Sequence, residues 1–239
     1  MKNKKTVCII GAMECEVEKI KQKLENIKTA NNGKMIIYLG DLYGHNIILS
    51  QSGVGKVNAA IGTQYIIDKY NPDFIINTGI AGGIAKGLGV GDLVIGSELV
   101  QHDFDVSAIG YARGYMCTGV NPDKPTVYYS DKKLIKKYEE AVKKSISLVK
   151  VHTGTIASGD VFVSDNKRKK DIHDTFNATS VEMEGAAIAQ TAAKNEIPFL
   201  IVRAISDLAD DKAAEEHEFV ETEIAALSAL SVEKLVEVI

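Results

Sequence analysis

Short runs rich in isoleucine and valine alternate with longer helical patterns from one end of this chain to the other, and that alternation constrains its fold more than any other feature. Residues 7–10, 47–49, 74–76, 93–95 and 199–202 are apolar throughout instead of at every second position, as in strands covered on both faces. Between and after them, helical spacing runs over 14–27, 56–70, 130–147, 184–195 and 218–238. The pattern predicts an α/β fold with a mixed central β-sheet flanked by helices. The 239 residues are enough for one full core, and no repeat, low-complexity tract or linker divides them. Residues 1–239 therefore read as a single domain. The stretch 104–129, broken by Gly110, Gly114, Gly119, Pro122 and Pro125, is the long irregular exception. A loop of that length in a compact domain usually serves function or meets a partner.

Composition narrows the function classes. A formal net charge of -4 offers no surface to nucleic acid or to an anionic membrane. The one basic run, residues 167–170, is most simply a solvated helix face. Cys8, Cys15 and Cys117 are odd in number and scattered, which suits neither a disulfide framework nor a zinc knuckle. The five histidines have no metal-ligand spacing. The apolar run before Gly11 is too short for a signal peptide, and no run approaches a membrane span. A cytoplasmic location is expected.

In open α/β sheets the ligand lies where strands end and loops begin. Three glycine-rich corners fall at such places, around Gly11, Gly53 and Gly79, yet none matches a nucleotide fingerprint: Ser50 and Val57 spoil a Walker A loop, and Ala81 a dinucleotide motif. Acids are the other candidates. Glu16 lies about 70° from the centre of the apolar stripe Met13, Val17, Ile20, Leu24, with Glu14 nearly as close on the other side. Two acids at a helix N-terminus are equally explained by the macrodipole alone. Glu182 and Glu184 flank Met183 ahead of a small-residue helix. They either cap that helix or, with the thioether, grip a sugar, carboxylates accepting from hydroxyls while sulfur meets the C–H face. Arg203 stands inside an apolar strand that ends at Asp207; it is there either to pair with a carboxylate or to hold an anion or water.

Together these segments resemble the purine nucleoside phosphorylase superfamily and, within it, the bacterial 5'-methylthioadenosine/S-adenosylhomocysteine nucleosidases. The resemblance runs through Ile10-Gly-Ala-Met-Glu14 with Glu16, Ser52-Gly-Val-Gly-Lys56, Asn77-Thr-Gly79 with Ala81-Gly-Gly83, and His102-Asp103. It continues in Asp105-Val106, Gly110-Tyr111, Ser158-Gly-Asp160 with Phe162, Val181-Glu-Met-Glu184, and Arg203-Ala-Ile-Ser-Asp207. It implies a nucleoside phosphorylase-like fold and hydrolysis of the N-glycosidic bond without metal or cofactor. Asp207 would protonate N7 of adenine, and Glu16 would activate water with help from Arg203. Glu184 would bind ribose hydroxyls, Met183 would pack on the sugar, and Phe162 would stack on the purine, whose edge the backbone at Val163 would read. Glu182, Val54 and Ser206 complete the implied substrate-binding set. Val106, Ile109 and Tyr111 match the region of the 5'-alkylthio pocket, which a second subunit partly closes, so a homodimer is implied.

Departures from that pattern are visible. Ile80 occupies a position where several relatives carry a serine that contacts the water, and Glu216, His217 and Phe219 compete for an aromatic lid ahead of the last helix. Hydrolysis is favoured over phosphorolysis by residue count: holding a phosphate dianion typically takes two or more arginines, and of Arg113, Arg168 and Arg203 only the last belongs to the candidate site. Competing readings are a futalosine or aminodeoxyfutalosine hydrolase and, from another class, a nucleoside-binding protein without catalysis.

Overall fold

A computed structural model of the chain describes residues 4–146 and 148–239, leaving aside the side chains of residues 216–219. Its strands are β1 (Thr6–Gly11), β2 (Glu25–Asn32), β3 (Met35–Leu42), β4 (His45–Gln51), β5 (Phe74–Asn77), β6 (Ile80–Gly83), β7 (Leu93–Gln101), β8 (Tyr128–Tyr129), β9 (Val151–Ser158), β10 (Ala178–Glu182) and β11 (Phe199–Asp207). The helices are α1 (Glu14–Lys21), α2 (Lys56–Tyr70), α3 (Lys132–Ser145), α4 (Asn166–Phe176), α5 (Gly185–Lys194) and α6 (Ala213–Val238).

The strands form one sheet in the order β2-β3-β4-β1-β5-β11-β6-β10-β9-β7-β8. Strand β11 organises it. Its first residues pair in parallel with β5, its middle pairs antiparallel with β7, and its end runs parallel to β6. Because β7 also pairs with β9, and β9 with β10, the sheet curls back on β11 and closes there. The mixed sheet expected from the sequence is therefore present, and all five apolar runs lie within it.

Alternation along β1 divides the core. Val7 and Ile9 face α1, α3 and α6 through Val17, Ile20, Tyr138 and Val232, whereas Cys8 and Ile10 face α2 and α5 through Ile66, Ile67 and Ile188. With both faces covered, every residue of β11 is buried, which places the C-terminal ends of β1, β5 and β11 side by side.

One expectation needs correction. Helix α1 stops at Lys21 rather than running to 27: Lys23 and Leu24 donate to Ile20 and Lys21 in a tightened last turn, and residues 25–32 then pair antiparallel with β3. Leu24 still packs on the core, so its place in the apolar stripe survives although its helical conformation does not. Residues 104–129 are irregular as expected apart from a short 3-10 helix at Ser107–Ile109 and the two residues of β8, which pair with β7.

Candidate active site

A cavity of about 250 Å³ opens at these strand ends. It is lined by Ala12, Met13 and Glu16 after β1, Val54 after β4, Ile80, Ala81 and Gly82 of β6, Val161, Phe162 and Val163 after β9, Val181 through Glu184, and Ser206 with Asp207 of β11. The walls are thus apolar except where the carboxylates and Ser206 enter. None of the described lining residues is basic.

The structure chooses between the acids of α1. Glu14 is exposed, whereas Glu16 is 4% exposed and turned into the cavity. Its Oε2 accepts from the Ala12 and Met13 amides at 2.6 and 3.0 Å, and its Oε1 from the Ile80 amide at 3.1 Å. A glycine at 79 is required there, because a Cβ would stand 2.5 Å from Glu16 Oε1. Burial pushes the Glu16 carboxyl above its ordinary value, against the opposing pull of Arg203 and the three amides. A carboxyl of that kind regains a proton more readily than a surface one, as a general base must.

Glu182 and Glu184 fall into different environments although one residue separates them. Glu182, expected to bind substrate, borders the cavity, but its carboxylate is occupied from behind. It accepts from Ser158 Oγ, from the Glu184 and Gly185 amides at 3.0 and 2.7 Å, and from Arg203. Burial raises its pKa, but Arg203 and these donors outweigh burial and hold it below the ordinary carboxylate value. Glu184 accepts one amide hydrogen bond, from Gly55 at 2.7 Å, and sits 4.0 Å from Arg203. Burial, then the charge of Glu182, push it up to about 8. A carboxylate with spare acceptor capacity facing an apolar cavity can take hydroxyl hydrogens, and a developing positive charge beside it favours its ionised form.

Arg203, expected to hold the water with Glu16, is 1% exposed and lies behind the cavity wall. It donates to Glu182, to Asn77 Oδ1 at 2.6 Å and to the Val202 carbonyl at 3.0 Å. Of the two roles open to it, pairing with a carboxylate is the one the geometry displays. It acts on the site through Glu16, Glu182 and Glu184, all of which feel its charge.

Asp207 ends β11 at 2% exposed. Its Oδ1 accepts from the Ala209 amide at 2.8 Å, and its Oδ2 lies 2.8 Å from Ser206 Oγ. Phe162, 42% exposed, lines the same cavity, as do the buried Val163 and, next to Glu184, Met183. Val54, exposed, and Ile80, buried, also line it. Val106, Ile109 and Tyr111 are not brought to this cavity: Ile109 is 71% exposed, and Tyr111 stacks obliquely on Tyr115. The lid candidates Glu216, His217 and Phe219 lie outside the described side chains.

Residues that sequence reading missed hold the wall together. Lys56 donates from its backbone to Asp160 Oδ1 and from Nζ to Gln101 and Asp103, while Asp103 accepts from the Asp160 amide. This cluster fixes the start of α2, and so the Gly55 amide on Glu184, against the loop that carries Phe162. The signal was present in Ser52-Gly-Val-Gly-Lys56 and Ser158-Gly-Asp160, whose glycines allow that close approach.

The sequence profile of the phosphorylase superfamily matches residues 6–237. Curated 5'-methylthioadenosine/S-adenosylhomocysteine nucleosidases share 44% identity over 85% of this chain and 86% of the protein in Bacillus subtilis, and 40% over 97% and 99% in Staphylococcus saprophyticus. The chain belongs to the phosphorylase superfamily, within it to the 5'-methylthioadenosine/S-adenosylhomocysteine nucleosidase family. The fold agrees. A Neisseria meningitidis nucleosidase in complex with methylthio-immucillin-A superposes with a TM-score of 0.92 at 43% identity, covering 98% of this chain and 100% of that one. A Helicobacter pylori nucleosidase mutant with 5'-methylthioadenosine in its active site gives 0.92 at 28% identity, over 99% and 100%. The family membership expected from the motifs is borne out, as is the nucleoside phosphorylase-like fold.

Proposed function

We propose that this member of the nucleosidase family hydrolyses the N-glycosidic bond of 5'-methylthioadenosine and S-adenosylhomocysteine, releasing adenine and the free thioribose. The observation that carries the reading is the convergence of Glu16, Glu184 and Asp207, from three separate strand ends, on one cavity with no basic residue among its described lining residues. Relatives at 40–44% identity carry the same activity in their names. The purine lies between Phe162 and the backbone at Val163, with N7 toward Asp207, which donates the proton that makes adenine a neutral leaving group. Departure of adenine leaves positive charge on the ribose, which Glu184 offsets while Met183 packs on the sugar. Glu16 orients water toward C1' and takes its proton. Arg203, Glu182 and Asn77 hold these carboxylates in place.

Phosphate is a poor nucleophile for this cavity. Arg203 is engaged by Glu182 and Asn77, and Glu16 occupies the position from which an anion would be repelled. The exposed apolar side chains of Val57, Ile61, Ile109 and Tyr111 support a homodimer in which a second copy covers them and closes the 5'-alkylthio end. No described helix is long and apolar enough to cross a membrane. The three free cysteines fit a reducing compartment, and the cytoplasm is the proposed location.

Incubation of purified protein with 5'-methylthioadenosine, followed by chromatography, tests the reading. Adenine and methylthioribose formed at the same rate with and without phosphate support it. Adenine only with phosphate makes the chain a phosphorylase, and no adenine in either buffer removes this substrate class.

A further inference from the structure

Helix α6 carries serines within an otherwise apolar buried stripe. Ser228 and Ser231 are both 0% exposed, among Ala225, Ala229, Val232 and Leu235. A buried hydroxyl in such a stripe is costly unless bonded, and each of these is. Tyr138 of α3 donates to Ser231 Oγ at 2.7 Å, and Ser231 Oγ donates to the Ser228 carbonyl at 2.6 Å, fixing that turn of the helix. Ser228 Oγ lies 2.9 Å from Thr78 Oγ1 and accepts from the Gly79 amide at 3.1 Å. Gly79 is gripped at its other end as well, its carbonyl accepting from the Ala204 amide at 3.0 Å. With both ends of Gly79 fixed, the next amide, Ile80, aims at Glu16 Oε1.

We propose that Ser228 is a positioning residue for Glu16, acting from helix α6 through the Gly79–Ile80 peptide. The inference rests on Glu16 serving as the water-activating base, as set out above. Gly79 has no side chain with which to fix itself, and the lack of a Cβ is what lets Glu16 approach. Rigidity that the glycine cannot supply is therefore supplied by the Ser228 hydroxyl. The charged groups facing Glu16 are Arg203 from β11 and Glu184 at the start of α5, with Cys15 beside it on α1 and Glu221 of α6 beyond Cys15. Ser228 touches none of these, so its removal changes the peptide behind Glu16 and leaves the surrounding charges in place.

The test compares Ser228→Ala and Ser228→Cys, the thiol being a weaker acceptor of similar shape, with Ser231→Ala as the stability control. Adenine release from 5'-methylthioadenosine is followed from pH 4 to pH 9, together with Tm. Loosening the Ile80 amide weakens a hydrogen bond to the ionised Glu16, so its pKa rises and the acid limb of kcat moves to higher pH. A displacement of roughly half to one pH unit is expected for Ser228→Ala, with a smaller one in the same direction for Ser228→Cys. Plateau kcat should fall on the order of 5-fold with KM little changed. Ser231→Ala should lower Tm and leave the limb where it is. An unmoved limb in either folded Ser228 variant, or a limb that moves as far in Ser231→Ala, overturns the proposal. If the unsubstituted protein releases no adenine, the function itself fails and the proposal falls with it, an outcome separate from an active protein with an unmoved limb.

Discussion

Replacing Glu184 by glutamine should stabilise the protein in alkali while disabling it. Burial first, and then the neighbouring Glu182, lift the Glu184 pKa from 4.5 to about 8. A group whose folded pKa lies above its unfolded one contributes stability that is fully present below the unfolded value and is lost as pH rises through the folded one. At ~1.36 kcal/mol per pKa unit, the rise from 4.5 to about 8 corresponds to a loss on the order of 3–5 kcal/mol by pH 9, the lower figure allowing for relaxation around the charge. Glutamine cannot ionise, yet it keeps an oxygen for the Gly55 amide. Titrations elsewhere are common to both proteins and cancel in the difference. For a chain of this size ~1 kcal/mol moves Tm by about 2–4 °C, so Glu184→Gln should gain about 6–20 °C on the parent between pH 5 and pH 9. Differential scanning calorimetry at half-unit pH intervals, without ligand, measures this. Tm curves that run parallel across that range would refute the assigned environment of Glu184. Adenine release should fall at every pH, because the amide offers a ribose less acceptor capacity and no charge to the transition state.

Other substitutions probe the remaining walls. Asp207→Asn should lower kcat by ~10²–10⁴-fold while folding and binding of a nucleoside analogue persist, as read by circular dichroism and calorimetric titration; unchanged turnover would remove Asp207 from proton transfer. Gly79→Ala sets a methyl group 2.5 Å from Glu16 Oε1, a carboxylate that three amides prevent from retreating. A displacement of about 1 Å at the base costs on the order of 10²-fold, so steady-state kinetics should show a large fall in kcat, and near-parental kcat would contradict the placement of Glu16.

The legible parts of the fold were those whose burial is complete. Strands β1, β5 and β11 are covered on both faces, so their residues are apolar without interruption and could be read directly. Strand β2 could not, because it is an exposed edge strand held by backbone pairing with β3, and Leu24 just before it continues a helical spacing that the chain has already left. The Ile-Ala-Gly-Gly of β6 has almost no strand propensity; its conformation is imposed by β10 and β11 on either side. In the site, Asp207 was legible as an acid ending a buried strand. The division of labour between Glu182 and Glu184 was not, since it depends on which carboxylate meets Arg203, Ser158 and the amides of α5, groups distant in sequence. Ser228 left only a faint trace, a hydroxyl pair three residues apart in an apolar stripe. Nothing local ties it to Glu16, more than two hundred residues earlier.

Attack by water at C1' is the centre of this account, and an isotope reads it most directly. Turnover of 5'-methylthioadenosine in ¹⁸O-enriched water containing phosphate, analysed by mass spectrometry before the sugar exchanges its anomeric oxygen, should give methylthioribose carrying one ¹⁸O and no phosphorylated sugar. An unlabelled methylthioribose 1-phosphate would contradict the account, because the nucleophile would then be an anion facing the carboxylate of Glu16.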